Sequence, residues 1–177
     1  MFDIDEFVAS CQVAVKESEP RLAVKELLER AVSDPVAVAE ALPVGGAELT
    51  ALYADDELTV LKVIWSPGLR INPHNHLMWA AIGLYAGQED NSFYRRAENS
   101  IVESGGKQLR TSDAALLGDD TIHSIVNPLS VPTAAIHVYG GNLTSRTGRS
   151  EWVPETLEER PYDFAASQHL FESANGD

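Results

Sequence analysis

Apolar positions in the first forty residues recur every three or four places. Ile4, Phe7, Val8, Cys11 and Val15 mark one helix face, and Leu22, Leu27, Leu28, Ala31 and Val32 mark a second, opened by Pro20. Asp34-Pro35 sets a capping residue before a proline at the first helical position, which predicts a short third helix to Leu42, broken by Gly45-Gly46. From Leu58 the period changes. LTVLKVIW is a run of β-branched and aromatic residues, and further short strand candidates follow at 69–76, 78–85, 92–96, 107–111, 123–126 and 133–139. Pro67-Gly68, Gly87, Gly105-Gly106, Gly118-Asp119 and Pro128 supply the turns. Many short strands with no helices between them predict a mainly β body, closed or double-sheeted. The expected organisation is one domain over 1–177: a helical segment (1–45) packed on a barrel (46–140), and a polar tail (141–177) wrapping the surface.

Composition narrows the function. The chain has 27 acidic and 13 basic residues, a formal net charge of −14. That balance counts against nucleic acid or an anionic membrane as partner, because phosphate binding needs clustered Lys and Arg. No apolar run approaches the roughly 18 to 20 residues that cross a bilayer. The acidic start, MFDIDEF, does not read as a signal peptide. The expectation is a cytoplasmic protein, monomer or homodimer, acting on a small molecule. The one cysteine, Cys11, shares a helix face with Phe7 and Val15 and reads as a buried structural thiol.

Candidate chemistry lies in the histidines. His74 and His76 are two apart, which on a strand puts both imidazoles on one face. His123 follows about fifty residues later at the start of another strand candidate. If that strand returns beside the first, three neutral imidazoles form a facial set with coordination positions left open. Two surface histidines on an edge strand would give the same HxH, so the pair alone is a weak signal.

Its context is more specific. Gly68, His74, His76 and Gly87 resemble, in order and spacing, the first cupin motif, which runs from a glycine through HxH and an acidic residue to a second glycine. His123 with Asn127 resembles the end of the second motif. The resemblance spans residues 58–140 and implies a cupin double-stranded β-helix, a jelly-roll barrel, holding one divalent metal on His74, His76 and His123. It leaves Asn127 to support the fold and His169 on an amphipathic tail helix. Where the motif carries its acid this chain has Ala80 and Ala81. Glu89 lies beyond Gly87, in an expected turn. The implied shell is therefore three histidines and no carboxylate.

That shell, the helical segment before the barrel and the run Ala135-Ile136-His137-Val138-Tyr139 are similar to thiol dioxygenases of the cysteine dioxygenase type, which carry Ser-x-His-x-Tyr at the last place. The resemblance implies Fe(II), with Zn, Mn or Ni as alternatives, and O₂ as co-substrate. It also implies a hydrogen bond from Tyr139 to substrate, with His137 orienting the phenol. Ala135 replaces the serine. Asp55 stands two after Tyr53, where cysteine dioxygenase has a carboxylate-binding arginine, which counts against cysteine itself as substrate. Candidate replacements are Arg70, which shares the histidines' face by parity, and Arg95 or Arg96, of which only one can point inward unless both belong to a solvated strand end. Met78 and Trp79 serve either as core or as an apolar pocket wall. Three imidazoles do not exclude Zn(II) or Mn(II) acting as a Lewis acid in an isomerase or hydrolase, the second reading. The fold alone also admits a non-catalytic metal- or small-molecule-binding module.

Overall fold

Helix-forming and strand-forming stretches segregate along the chain. In the computed structural model, which describes residues 1–175, they form separate layers. Three helices come first: α1 (Ile4–Ala14), α2 (Pro20–Val32) and α3 (Pro35–Ala41). Asp3 caps α1 by accepting from Glu6 N at 3.0 Å, and Asp34 caps α3 by accepting from Ala37 N at 3.1 Å. Pro20 and Pro35 occupy first-turn positions, where a missing N–H costs nothing. Among the described residues no helix is long and apolar enough to cross a membrane.

The strands are β1 (Glu48–Ala54), β2 (Thr59–Trp65), β3 (Arg70–Asn75), β4 (Ala80–Ala86), β5 (Gln88–Ala97), β6 (Ser100–Arg110), β7 (Ala114–Leu117), β8 (Ile122–Val126), β9 (Thr133–Tyr139), β10 (Ser150–Trp152) and β11 (Glu159–Pro161); a helix, α4 (Phe164–Ser173), follows. They form two antiparallel sheets, ordered β1-β2-β9-β4-β7 and β11-β10-β3-β8-β5-β6. The chain goes out through β2 to β5 and returns through β8 and β9. On return, β9 inserts between β2 and β4 while β8 inserts between β3 and β5. This interleaving of early and late strands is a double-stranded β-helix, mainly β as the sequence predicts.

The core has two layers. Between the sheets lie Leu61, Val63, Trp65, Ile82, Leu84 and Ile125. On the outer face of the five-stranded sheet, Val60, Ile64, Ala81, Ile136 and Val138 pack against Val24, Leu28 and Val32 of α2. Burial on both faces explains why β9 is buried at all seven positions and reads as a mostly apolar run, with His137 its one titratable imidazole. Gly83 lets α2 come close: a Cβ there would sit 3.0 Å from Val32 Cγ1 and 3.1 Å from Leu28 Cδ2.

Two strands escape the sequence pattern. β1 is a half-exposed edge, and β7 is four residues of Ala and Leu, which carry little strand preference. The tail also differs from a surface wrap. It adds β10 and β11 to the six-stranded sheet and buries Arg149, Trp152 and Phe171.

Candidate metal centre

Strand pairing brings the three histidines together. β3 and β8 run antiparallel with His74 directly opposite His123, and His76 follows just after β3 ends. Ring centroids are 4.9 Å apart for His74 and His76, 4.7 Å for His74 and His123, and 5.0 Å for His76 and His123. One ligating nitrogen from each lies within 4.8 Å of the others. His74 Nε2 and His76 Nε2 are 3.1 Å apart. Metal–nitrogen bonds of about 2.1 Å at near-right angles put ligand nitrogens about 3 Å apart, so the spacing fits a first-row divalent ion.

The other ring nitrogens fix which lone pairs face inward. His74 Nδ1–H donates to the Asn72 carbonyl at 2.8 Å, and His123 Nδ1–H donates to Asn91 Oδ1 at 2.8 Å. Both rings therefore turn an Nε2 lone pair to the centre, and His123 Nε2 is buried with no partner among the described residues. Burial holds all three imidazoles well below their usual pKa, with His74 near 3. Neutral imidazole is the metal-binding form. Among the described residues no carboxylate joins the cluster. Ala80, at the expected acidic position, is buried between the sheets, paired with Tyr139.

His137 and Tyr139 share the inward face of β9. Tyr139 presents its ring edge to His76 at 5.0 Å, and its hydroxyl lies 3.2 Å from His137 Nδ1. Burial pushes the phenol's pKa up, so it stays protonated. Ala135, also buried, supplies no polar atom to His137. Glu89 does: it is not in a turn but within β5, fully buried, with Oε2 3.4 Å from His137 Nε2.

None of the three expected arginines enters the site. Arg70 is exposed on the outer face, because a bulge between Ile71 and His74 shifts the register. The extra residue breaks the alternation, so Ile71, not Arg70, lines the cavity with the histidines. Arg95 is exposed near the end of β5. Arg96 is also exposed; it pairs with Glu159 through two 2.9 Å bonds and lies over Trp152, tying β5 to the β10–β11 hairpin. Trp79 packs on the helix side against Gly140, where a Cβ would collide with its indole, and Met78 joins the inter-sheet core. Tyr53 and Asp55 lie away from the centre. The Tyr53 hydroxyl donates to Asp55 at 2.5 Å, and Asp55 also caps the β1–β2 turn by accepting from Glu57 N and Leu58 N.

The pocket cation is Arg149, just before β10. It is 6% exposed and lines the same small cavity, about 40 Å³, as His74, His76 and Tyr139. Nε donates to the backbone carbonyl of Asn75, the residue between the two histidines, at 3.0 Å, and Nη1 donates to Leu143 O at 3.4 Å. The guanidinium lies 3.8 Å from the centre of the Tyr162 ring. It has no acidic partner among the described residues, which is costly for a buried charge unless an anion joins it. Its sequence context, TSRTGRSEW, is polar and aperiodic, so no signal marked it.

No protein-family model matches the chain. Solved structures do. A Bacillus halodurans protein is similar over 59% of this chain and 77% of its own, at 18% identity and a TM-score of 0.52. An RmlC-like cupin family protein with a double-stranded β-helix fold, from Methanocaldococcus jannaschii, is similar over 58% of this chain and 86% of its own, at 8% identity and a TM-score of 0.48. An uncharacterized conserved protein with a double-stranded β-helix domain, from Klebsiella pneumoniae, is similar over 92% and 96%, at 13% identity and a TM-score of 0.43. Structural neighbours of this chain thus include cupins, and the likeness is one of fold. The topology is that of a double-stranded β-helix, and the histidine cluster inside it could hold a metal.

Proposed function

We propose that this chain is a mononuclear non-haem Fe(II) dioxygenase that oxidises a small anionic substrate, a thiol carboxylate by preference, with O₂. The observation that carries the reading is the convergence of three neutral imidazoles on one centre, with an acid-free buried arginine lining the same small cavity as two of them, His74 and His76. His74, His76 and His123 would hold the ion. Bound there, Fe(II) supplies open positions where a soft donor and O₂ can meet.

The chain's own residues do the rest. Two of Arg149's five N–H groups go to backbone carbonyls, and Tyr162 lies against the guanidinium; a carboxylate would take donors that these contacts leave. The Asn75 carbonyl holds the guanidinium one residue from both histidine ligands, so the anionic group and the reacting atom of the substrate are close together. Tyr139 packs its ring against His76 and keeps its hydroxyl, 3.2 Å from His137 Nδ1, protonated. Trp65, Leu61, Ile71 and Phe171 make the wall apolar and keep bulk water out.

Metal analysis and an oxygen electrode test this together. Purified protein should carry close to one metal per chain, lost in His74→Ala and His123→Ala. The Fe(II)-loaded protein should consume oxygen with thiol carboxylates and less with thiols lacking the acid. Silence across the whole panel, or metal content unchanged in both variants, would sink the reading.

A further inference from the structure

A buried carboxylate that the proposed chemistry leaves unused stands behind the site. Glu89 Oε1 accepts from Asn91 Nδ2 at 3.0 Å, and Oε2 lies 3.4 Å from His137 Nε2. Oε2 and His137 Nε2 are both buried, and neither has a hydrogen-bond partner among the described residues. A carboxylate oxygen facing a bare nitrogen lone pair would be repelled, whereas facing N–H it satisfies two buried groups at once. A proton on His137 Nε2 is therefore the arrangement this pair selects. On the other side, Asn91 gives its N–H to Glu89 and so must turn Oδ1 to His123 Nδ1, 2.8 Å away. An acceptor at that place admits only the Nδ1–H tautomer, which frees Nε2 for the centre.

We propose that Glu89 is a positioning residue that sets the protonation pattern of two imidazoles: His123 through the Asn91 amide, and His137 directly. With its proton on Nε2, the neutral His137 ring accepts the Tyr139 hydroxyl hydrogen at Nδ1. The phenol then turns oxygen lone pairs, not its O–H, to the pocket. The His123 half of this inference rests on the metal reading; the His137 half does not.

The decisive variant is Glu89→Gln. A carboxylate offers two acceptors, but an amide of the same shape offers one acceptor and one donor. Glutamine cannot satisfy both neighbours as glutamate does, so one imidazole must invert. Nitrogen-15 NMR of histidine-labelled, metal-free full-length chain at pH 8 reads the tautomers, with signals assigned by single His→Gln variants. Zn(II) affinity by chelator competition gives the second readout. Wild type should show His137 protonated on Nε2 and His123 on Nδ1. In Glu89→Gln, either the His137 proton moves to Nδ1 with Zn(II) affinity held within about 3-fold, or His137 is unchanged, the His123 proton leaves Nδ1 and Zn(II) affinity drops by about 10- to 100-fold. Asn91→Leu, which removes only the amide link, should show the same loss of affinity with His137 unchanged. Glu89→Gln leaving both rings and the affinity as in wild type would overturn the proposal, as would wild-type His137 lacking a proton on Nε2. Wild-type protein that binds no Zn(II) would count against the metal reading, while the His137 signals would still decide the role of Glu89.

Discussion

At the scale of single residues, the site is a set of decisions about which atom faces inward. The HxH pair was legible because two residues on a strand point the same way, and His123 because cross-strand pairing is the simplest way to complete a facial set. Parity failed at Arg70, where one bulged residue in β3 reverses the face. Arg149 was illegible for a different reason. A buried charge in an irregular segment leaves no periodic trace, and its burial is set by contacts with Asn75 and Tyr162 that lie far away or later in the chain. Glu89 was visible as an acid but was misplaced in a turn, because polar β5 reads weakly as a strand. Arg149 carries a direct prediction. Arg149→Gln should raise KM for a carboxylate-bearing substrate by about 10- to 100-fold, the loss of about 1.5–3 kcal/mol expected for hydrogen bonds to a charged group. Metal content should not change, and an analogue lacking the carboxylate should lose nothing. Equal loss for both compounds would show that Arg149 supports the fold only.

At the scale of elements, the strands that carry His74, His123 and Tyr139 are central, and β1 and β7, which escaped the sequence pattern, are peripheral. β8 lies between β3 and β5, and β9 between β2 and β4, so His123 and Tyr139 are paired with a strand on both sides. β1 and β7 are the two edges of the other sheet. Edge strands keep one face or one side in water and need less apolar character, which is why composition alone did not find them. The three N-terminal helices were legible because each combines a periodic face with a cap or an opening proline. Their docking depends on Gly83, where β4 passes beneath α2. Gly83→Val should therefore cost about 1–3 kcal/mol through overpacking against Leu28 and Val32. Thermal unfolding followed by circular dichroism would show it. An unchanged melting temperature would mean that α2 rides higher than its contacts imply.

At the scale of the whole molecule, stability and site are joined through protons. Burial opposes charge on His74, so it titrates near 3 when folded against 6.5 in an open chain. Between those values the unfolded state binds the extra proton. Stability of the metal-free protein is thus fully present above about pH 6.5 and declines as pH falls toward 3. His76 and His123 are depressed in the same direction and steepen the decline. Urea midpoints of chelator-treated protein should fall from pH 7.5 to pH 5, and a flat or rising series would contradict the neutral buried cluster. The overall architecture was legible because strand length, turn spacing and the change of period at Leu58 are properties of long stretches. The cavity was not, since it is closed by Leu143, Arg149, Tyr162 and α4, in a stretch that the sequence marks only as a polar tail.

One contact joins these scales. The Asn75 carbonyl that holds Arg149 belongs to the residue between His74 and His76, and the Asn75 side chain accepts from Ser150 N at 2.8 Å. A shift of that short segment moves both histidines and the guanidinium as a unit. Should a metal bind the one and an anion the other, whatever factor the metal adds to the grip on the anion, the anion must return to the grip on the metal.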